Sequence, residues 1–174
     1  FYIFFLISTN LLGRVLPSDV VWNENETGYY TIKENSIVLV STRGKKDKII
    51  LTSSQVNNIK IEAFSFSQSK NKVLLFTESV KVWRYNTRGD YWVYDFNKNE
   101  MQKLGREMSS SSLMFAKFSP NENFVAYVSK EKSDSGIRNS STSVNIYLED
   151  LESRTIKKLT SSKGTKKLIN GTFD

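Results

Sequence analysis

The sequence predicts an all-β protein, a partial β-propeller of about three four-stranded antiparallel blades, and three observations carry that expectation. Aromatic residues make up 13% of the 174 positions, against only two prolines and eight glycines, and the apolar runs are rich in aromatic and β-branched side chains, which suit pleated, half-buried strands. Related phrases recur about every fifty residues along the chain. Each recurrence contains four short apolar segments parted by polar turns, and four strands at that period make a propeller blade.

The recurrence is visible in the first half of each unit. VWNENETGYYTI from Val21, SFSQSKNKVLLFT from Ser65 and KFSPNENFVAYVS from Lys117 each join an aromatic to a polar turn and an apolar strand. Phe66 and Phe118 stand 118 − 66 = 52 residues apart. The second halves repeat as well. VYDFNKNEMQKL and LEDLESRTIKKL each set an Asp nine residues before a Leu (Asp95 and Leu104, Asp150 and Leu159). LVSTRGKKDKIILT, ending at Thr52, has the same strand–turn–strand form.

Taken in order, residues 1–20 are a lead-in: Phe1 to Ile7 is too short to span a bilayer and reads as the remnant of a signal or anchor segment, or as an edge strand. Residues 21–174 form the propeller fragment. Unit one covers 21–52, with Glu34 and Asn35 in a tight turn. Unit two covers 61–105, with strands at Ile61–Ser67, Lys72–Glu78, Tyr91–Asp95 and Glu100–Gly105. In Ala63-Phe64-Ser65-Phe66-Ser67 the two phenyls share a face. Unit three covers 114–160, with strands at Met114–Ser119, Phe124–Ser129, Val144–Glu149 and Thr155–Thr160, and the residues after it begin the connection to a next blade. Such a blade cannot cover both its faces alone, so neighbours stack on it; a β-sandwich, the alternative, would not require the period.

Composition excludes several functions. The net charge is +7, but Arg43, Lys45, Lys46 and Lys48 fall in one turn, Lys157 and Lys158 on a strand, and Lys166 and Lys167 in another connection. No recognition helix or aromatic-basic motif accompanies them, so solvated turns are expected and no nucleic-acid partner. A polyanion site remains a minor alternative, marked by affinity that falls steeply with salt. Cysteine and histidine are both absent. A Ser-His-Asp triad needs a proton shuttle that titrates near neutrality, so a hydrolase of that kind would keep its base outside this stretch. Thiolate and histidine zinc sites are excluded too, and no cofactor is expected.

Two units carry an insert between their second and third strands. Lys130 to Ser143 is rich in Ser, Lys and Asn and reads as a surface loop. Ser79 to Asp90 reads as a loop with anchors, since KVWRYNTRGD sets Trp83 and Tyr85 beside Arg84 and Arg88. In extended chain Trp83 and Tyr85 would pack while Arg84 projects from the other side. A guanidinium held this way offers a fixed fork of N–H donors to a carbonyl or carboxylate. The competing structural role for Arg84 is to cap strand carbonyls or to pair with a local acid such as Asp90.

VWRYNTRGDYWVYD, FAKFSPNENFVAYV and LTSSKGTKKLINGTFD together resemble the N-terminal propeller of dipeptidyl peptidase IV and its bacterial relatives, within the prolyl oligopeptidase-type serine peptidases. The resemblance runs from about Val21 to Asp174. It implies a parent that removes dipeptides with proline or alanine at the second position from peptide N-termini. It also implies catalytic residues in a C-terminal α/β-hydrolase domain, with a homodimer as one arrangement of the parent. Arg84 matches the family's carbonyl-holding arginine. The family's glutamate pair for the substrate amino group follows an Asn-Gly-x-x-Asp phrase, which here is Asn170 to Asp174. The connection between second and third strands and the link to the next blade emerge on one face, so arginine and glutamates would share a rim. The resemblance further implies a periplasmic, extracellular or outward-facing membrane-anchored location. It implies that the fragment alone is non-catalytic and, with open blade edges, prone to associate. A non-enzymatic propeller serving as a binding scaffold is the alternative, to be told apart by what is encoded downstream.

Overall fold

The computed structural model describes residues 20–25, 27–82, 85–130 and 144–160. They form twelve strands in three four-stranded antiparallel sheets, with no α-helix among the described residues. The first sheet contains β1 (Val20–Trp22), β2 (Gly28–Lys33), β3 (Ser36–Ser41) and β4 (Lys48–Leu51). The second contains β5 (Ala63–Phe66), β6 (Lys72–Val82), β7 (Tyr85–Asp95) and β8 (Glu100–Lys103). The third contains β9 (Met114–Phe118), β10 (Phe124–Lys130), β11 (Val144–Asp150) and β12 (Ile156–Lys158). Strand order within every sheet follows chain order, and no sheet closes on itself. This is the up-and-down meander of three propeller blades.

The repeat found in the sequence corresponds to a repeat in hydrogen bonding. In the β5–β6 turn Ser67 N donates to Lys72 O, Lys72 N donates to Ser67 Oγ, Lys70 N donates to Ser67 O, and Lys70 takes φ +60°. Shifted by 52 positions, Ser119, Phe124 and Glu122 make the same bonds, with Glu122 at φ +59°. The two β3–β4-type turns match as well. Asp95 Oδ1 accepts from the amides of Asn97 (2.9 Å) and Lys98 (3.1 Å), and Asp150 Oδ1 from those of Glu152 (2.8 Å) and Ser153 (2.9 Å). Those amides hold the Asp150 carboxyl below its ordinary value, Ser153 most strongly. An Asx turn of this kind places the side chain where a backbone carbonyl would sit, which is why both phrases carry Asp at that point. Glu34 and Asn35, both at positive φ, close the β2–β3 hairpin with the geometry that a two-residue turn requires.

Two apolar cores lie between the three sheets, and the middle sheet feeds both. Val73, Leu75, Phe64 and Tyr94 pack on Ile37, Leu51 and Val56 from the first-sheet side. Leu74, Phe76, Tyr91 and Val93 pack on Val125, Tyr127 and Tyr147 of the third sheet. Consecutive residues Val73 to Phe76 therefore alternate between cores, as pleating demands of a sheet buried on both faces. The phenyl rings of Phe64 and Phe66 do share a face, 5.5 Å apart and edge-on, with Tyr30 4.8 Å from Phe66.

One expectation changes. Ser79–Asp90 is not a loop: β6 and β7 run eleven residues each and stay paired out to Val82 and Tyr85. Register shifts interrupt the ladder between Thr77 and Lys81, and Glu78 sits at φ +48°. The cause is that a projecting segment must satisfy its own amides and carbonyls. Val80, Val82, Tyr85 and Thr87 make a pair of β-prone arms that can do so.

Candidate functional site

The site begins with the β6–β7 ribbon, because Arg84 stands in its connection. Trp83 and Arg84 lie outside the described residues; so do the insert from 131 to 143 and the Asn170–Asp174 phrase. What is described is the base from which Arg84 is carried. Ser79, on the outgoing arm, donates its amide to Glu62 Oε1 (3.2 Å) and its hydroxyl to Glu62 Oε2. Gly89, on the returning arm, exchanges two backbone bonds with Leu113 of the link between the second and third sheets (3.0 and 3.1 Å).

Asp90 completes the base. It is 1% exposed, and both its oxygens are in use. Ser111 N donates to Oδ1 (2.7 Å), and Ser110 Oγ (3.2 Å) and Lys103 Nζ donate to Oδ2. Lys103 in turn lies 5.5 Å over the Trp92 ring, whose Nε1 donates to Thr77 Oγ1 (3.2 Å). Asp90 is thus committed to a lysine and two serines on its own sheet and the next link.

The base also shows that the connection between second and third strands and the link to the next sheet run side by side. Leu113, Ser111 and Ser110 of the 104–113 link meet Gly89 and Asp90. One sheet earlier, Asn35 in the β2–β3 turn receives the Ile61 amide (2.7 Å) and donates to Ile59 O (2.8 Å). Around the axis of the meander, the first strands of the sheets converge on an open groove of about 470 Å³ lined by Val21, Phe64, Phe66, Ala116 and Phe118.

Polar contacts that the sequence gives little sign of hold the sheets together. Glu149, fully buried, accepts from Gly105 N (2.8 Å) and the Tyr127 hydroxyl (3.1 Å). Burial and then the neighbouring carboxylate raise the Tyr127 hydroxyl above its ordinary pKa; burial likewise raises Tyr91. Tyr94 occupies the matching place one blade earlier, where Gln55 donates to its hydroxyl (2.9 Å). Both residues immediately precede the repeat's Asp, so each third strand reaches back to the preceding link. The signal was an inward register position held by a polar side chain.

The basic turn is at the opposite end of the first sheet from the β2–β3 connection. Arg43, Lys45, Lys46 and Lys48 border an open depression of about 180 Å³. Its acid, Asp47, pairs with Lys33 at 2.8 Å, and these side chains are exposed.

These sheets and their linked rims define the chain as part of a β-propeller. The family profile of the dipeptidyl peptidase IV (DPP IV) N-terminal region matches residues 67–174, more than half of the chain, and the chain belongs to that family. It is similar to dipeptidyl aminopeptidase B of Saccharomyces cerevisiae, 27% identical over 163 residues, which cover 90% of this chain and 18% of the relative. A probable dipeptidyl-aminopeptidase B of Aspergillus niger is 30% identical over 98 residues, covering 56% of this chain and 9% of its own length. Among solved structures, Porphyromonas gingivalis dipeptidyl peptidase 4 superposes with a TM-score of 0.63 at 18% identity, over 84% of this chain and 20% of that one. The tricorn protease superposes at 0.53 and 15% identity, over 82% of this chain and 13% of that one; both likenesses are of fold. The chain spans only 13–20% of the length of these relatives that it matches over most of its own length.

Proposed function

We propose that this chain is the substrate-facing part of the propeller in a serine-type exopeptidase that releases X-Pro or X-Ala dipeptides from peptide N-termini. Arg84 is the substrate-binding residue in this reading, its guanidinium holding a carbonyl of the bound peptide while carboxylates beyond Asp174 take the free amino group. The chemistry belongs to an α/β-hydrolase domain elsewhere in the parent, and the fragment is non-catalytic. The location is periplasmic, extracellular or membrane-anchored facing outward, where peptide substrates are met.

The observation that carries the reading is membership of the dipeptidyl peptidase IV N-terminal family; it is supported by the position of Arg84 in the sequence, between the two arms of a ribbon clamped at its base. With Asp90 engaged by Lys103, Ser110 and Ser111, the acid best placed in sequence to neutralise Arg84 structurally has other partners. An arginine fork suits a peptide carbonyl because several fixed donors meet one acceptor, and a charge-assisted bond is stronger than a neutral one.

The test is Arg84→Ala in the full-length parent, assayed with a Gly-Pro chromogenic amide. Loss of one charge-assisted bond to substrate costs on the order of 1–3 kcal/mol, so kcat/KM should fall about 5- to 150-fold. Unchanged turnover removes Arg84 from the site, and a parent that lacks dipeptide release altogether favours a binding scaffold.

A further inference from the structure

We propose that Glu62 and Asp90 are positioning residues that aim the Arg84 ribbon; the proposal rests on the reading of Arg84 given above. Glu62 precedes β5 and Asp90 lies within β7, and neither is required to touch substrate. Their side chains fix the two arms of the ribbon at the level where it leaves the sheet.

The two arms are held from different sides. Glu62, in the link preceding β5, uses both carboxylate oxygens on Ser79, one on its amide and one on its hydroxyl. Its own amide donates to Phe76 O (2.9 Å), so the clamp is tied back to the strand it steadies. On the returning arm, Asp90 gathers Ser111 N, Ser110 Oγ and Lys103 Nζ, and the adjacent Gly89 pairs with Leu113. Leu113 is 1% exposed and belongs to the core between the second and third sheets. The ribbon is therefore referenced to the preceding link, to β8 and to the following link at one level.

That level is where the ladder would otherwise be loose. The register shifts between Thr77 and Val80 and again between Val80 and Lys81, with Glu78 at positive φ, and a bulge bends and twists the strand that carries it. Ser79 sits inside this bulge and is the residue that Glu62 seizes. From Ser79 to Val82 is three residues, about 10 Å of strand, so a tilt of roughly six degrees at the base moves the end of the ribbon by about 1 Å. A misplacement of that size at a binding group can cost up to about a hundredfold in rate.

A role in aiming predicts that these residues matter only while there is something to aim. In the full-length parent, Glu62→Gln, Ser79→Ala and Asp90→Asn should each lower kcat/KM for a Gly-Pro chromogenic amide by about tenfold, chiefly through KM. In the Arg84→Ala background the same substitutions should change kcat/KM by less than about twofold, because the interactions are coupled through one group. Ser79→Ala removes hydrogen bonding at a half-buried position and keeps the comparison intact if Asp90→Asn impairs folding. Equal losses in both backgrounds would mean that the clamp only supports the fold, and losses under twofold beside an intact Arg84 would mean that it aims nothing; either result overturns the proposal. If Arg84→Ala itself is silent, the reading of the site fails, and the proposal with it.

Discussion

Gly89 is the point where the ribbon base can be perturbed with the least chemistry. A Cβ placed there would lie 2.4 Å from Phe76 Cε2, 2.9 Å from Phe76 Cζ and 2.6 Å from Thr77 O. Ordinary contact begins near 3.4 Å, so the shortfall against the ring is 3.4 − 2.4 = 1.0 Å. The ring is 5% exposed and stacked in a tilted pair with Tyr91 at 4.8 Å, and the carbonyl is backbone, so neither gives way freely. Overpacking of this kind costs about 1–3 kcal/mol. If the arm retreats instead, the two Gly89–Leu113 bonds are lost at about 1 kcal/mol each. By either route Gly89→Ala should destabilise the chain by roughly 2 kcal/mol, or about 4–8 °C in Tm for a domain of this size. Urea titration followed by tryptophan fluorescence measures it. A second arm isolates the cause: Phe76→Leu removes the ring atoms but leaves Thr77 O, so the double variant should be less destabilised than the sum of the singles. A Gly89→Ala protein within about 0.5 kcal/mol of the parent sequence, a change typical of a neutral surface site, would refute the close packing at the ribbon base.

Glu122, in the β9–β10 turn, reaches back to Ser69 of the preceding sheet, taking its hydroxyl (2.6 Å) and its amide. These bonds, the hydroxyl first, hold the Glu122 carboxyl below 4.5. The unfolded chain thus binds the proton more readily, so the stabilisation is whole above the ordinary value and drains away as pH falls through the depressed one. The stability gap between the natural sequence and Glu122→Gln should be widest near pH 6 and narrow toward pH 3, and a gap constant with pH would contradict the bond. Leu74 and Leu75, each 1% exposed, face different cores, so Leu74→Ala and Leu75→Ala should each cost about 2–5 kcal/mol in the same urea assay. A tolerant member of the pair would mean that one face of the middle sheet is wet.

The architecture was legible because its signals are local and repeated. The 52-residue offset between Phe66 and Phe118 fixed the period, and the polar turns marked where strands reverse; the same offset governs the turn hydrogen bonds. The ribbon was misjudged as a loop because the KVWRYNTRGD segment mixes charge with β-prone residues, and only pairing with its own other arm decides the outcome. Glu62 escaped notice, and Asp90 was considered only as an acid for Arg84, for a different reason. A clamp between a link and a bulge joins residues 17 or 21 positions apart, with no periodicity to announce it. Arg84 was singled out by its motif alone, and its environment lies outside the described residues.

The outermost faces of the three sheets extend the same logic. A blade that met water on one face would alternate apolar with polar residues. The first sheet does not: Trp22, Tyr29, Val40, Val38 and Ile49 share the face turned away from the middle sheet by their register, and Trp22 and Ile49 are about three-fifths exposed. The third sheet has Ala126 opposite Leu148 and Val128 opposite Ile146 on its far face. The repeat's closing leucine tells the same story, since Leu104 is fully buried between two sheets while its counterpart Leu159 is 49% exposed. Outer and inner faces are thus written in one apolar code, which is the code of an interior blade. Apolar area of this extent is normally covered by another protein surface, and in a propeller the natural cover is a further blade on either side. The three sheets are in this sense built for a longer ring, in keeping with a chain that matches 13–20% of the length of the relatives it covers over most of its own length.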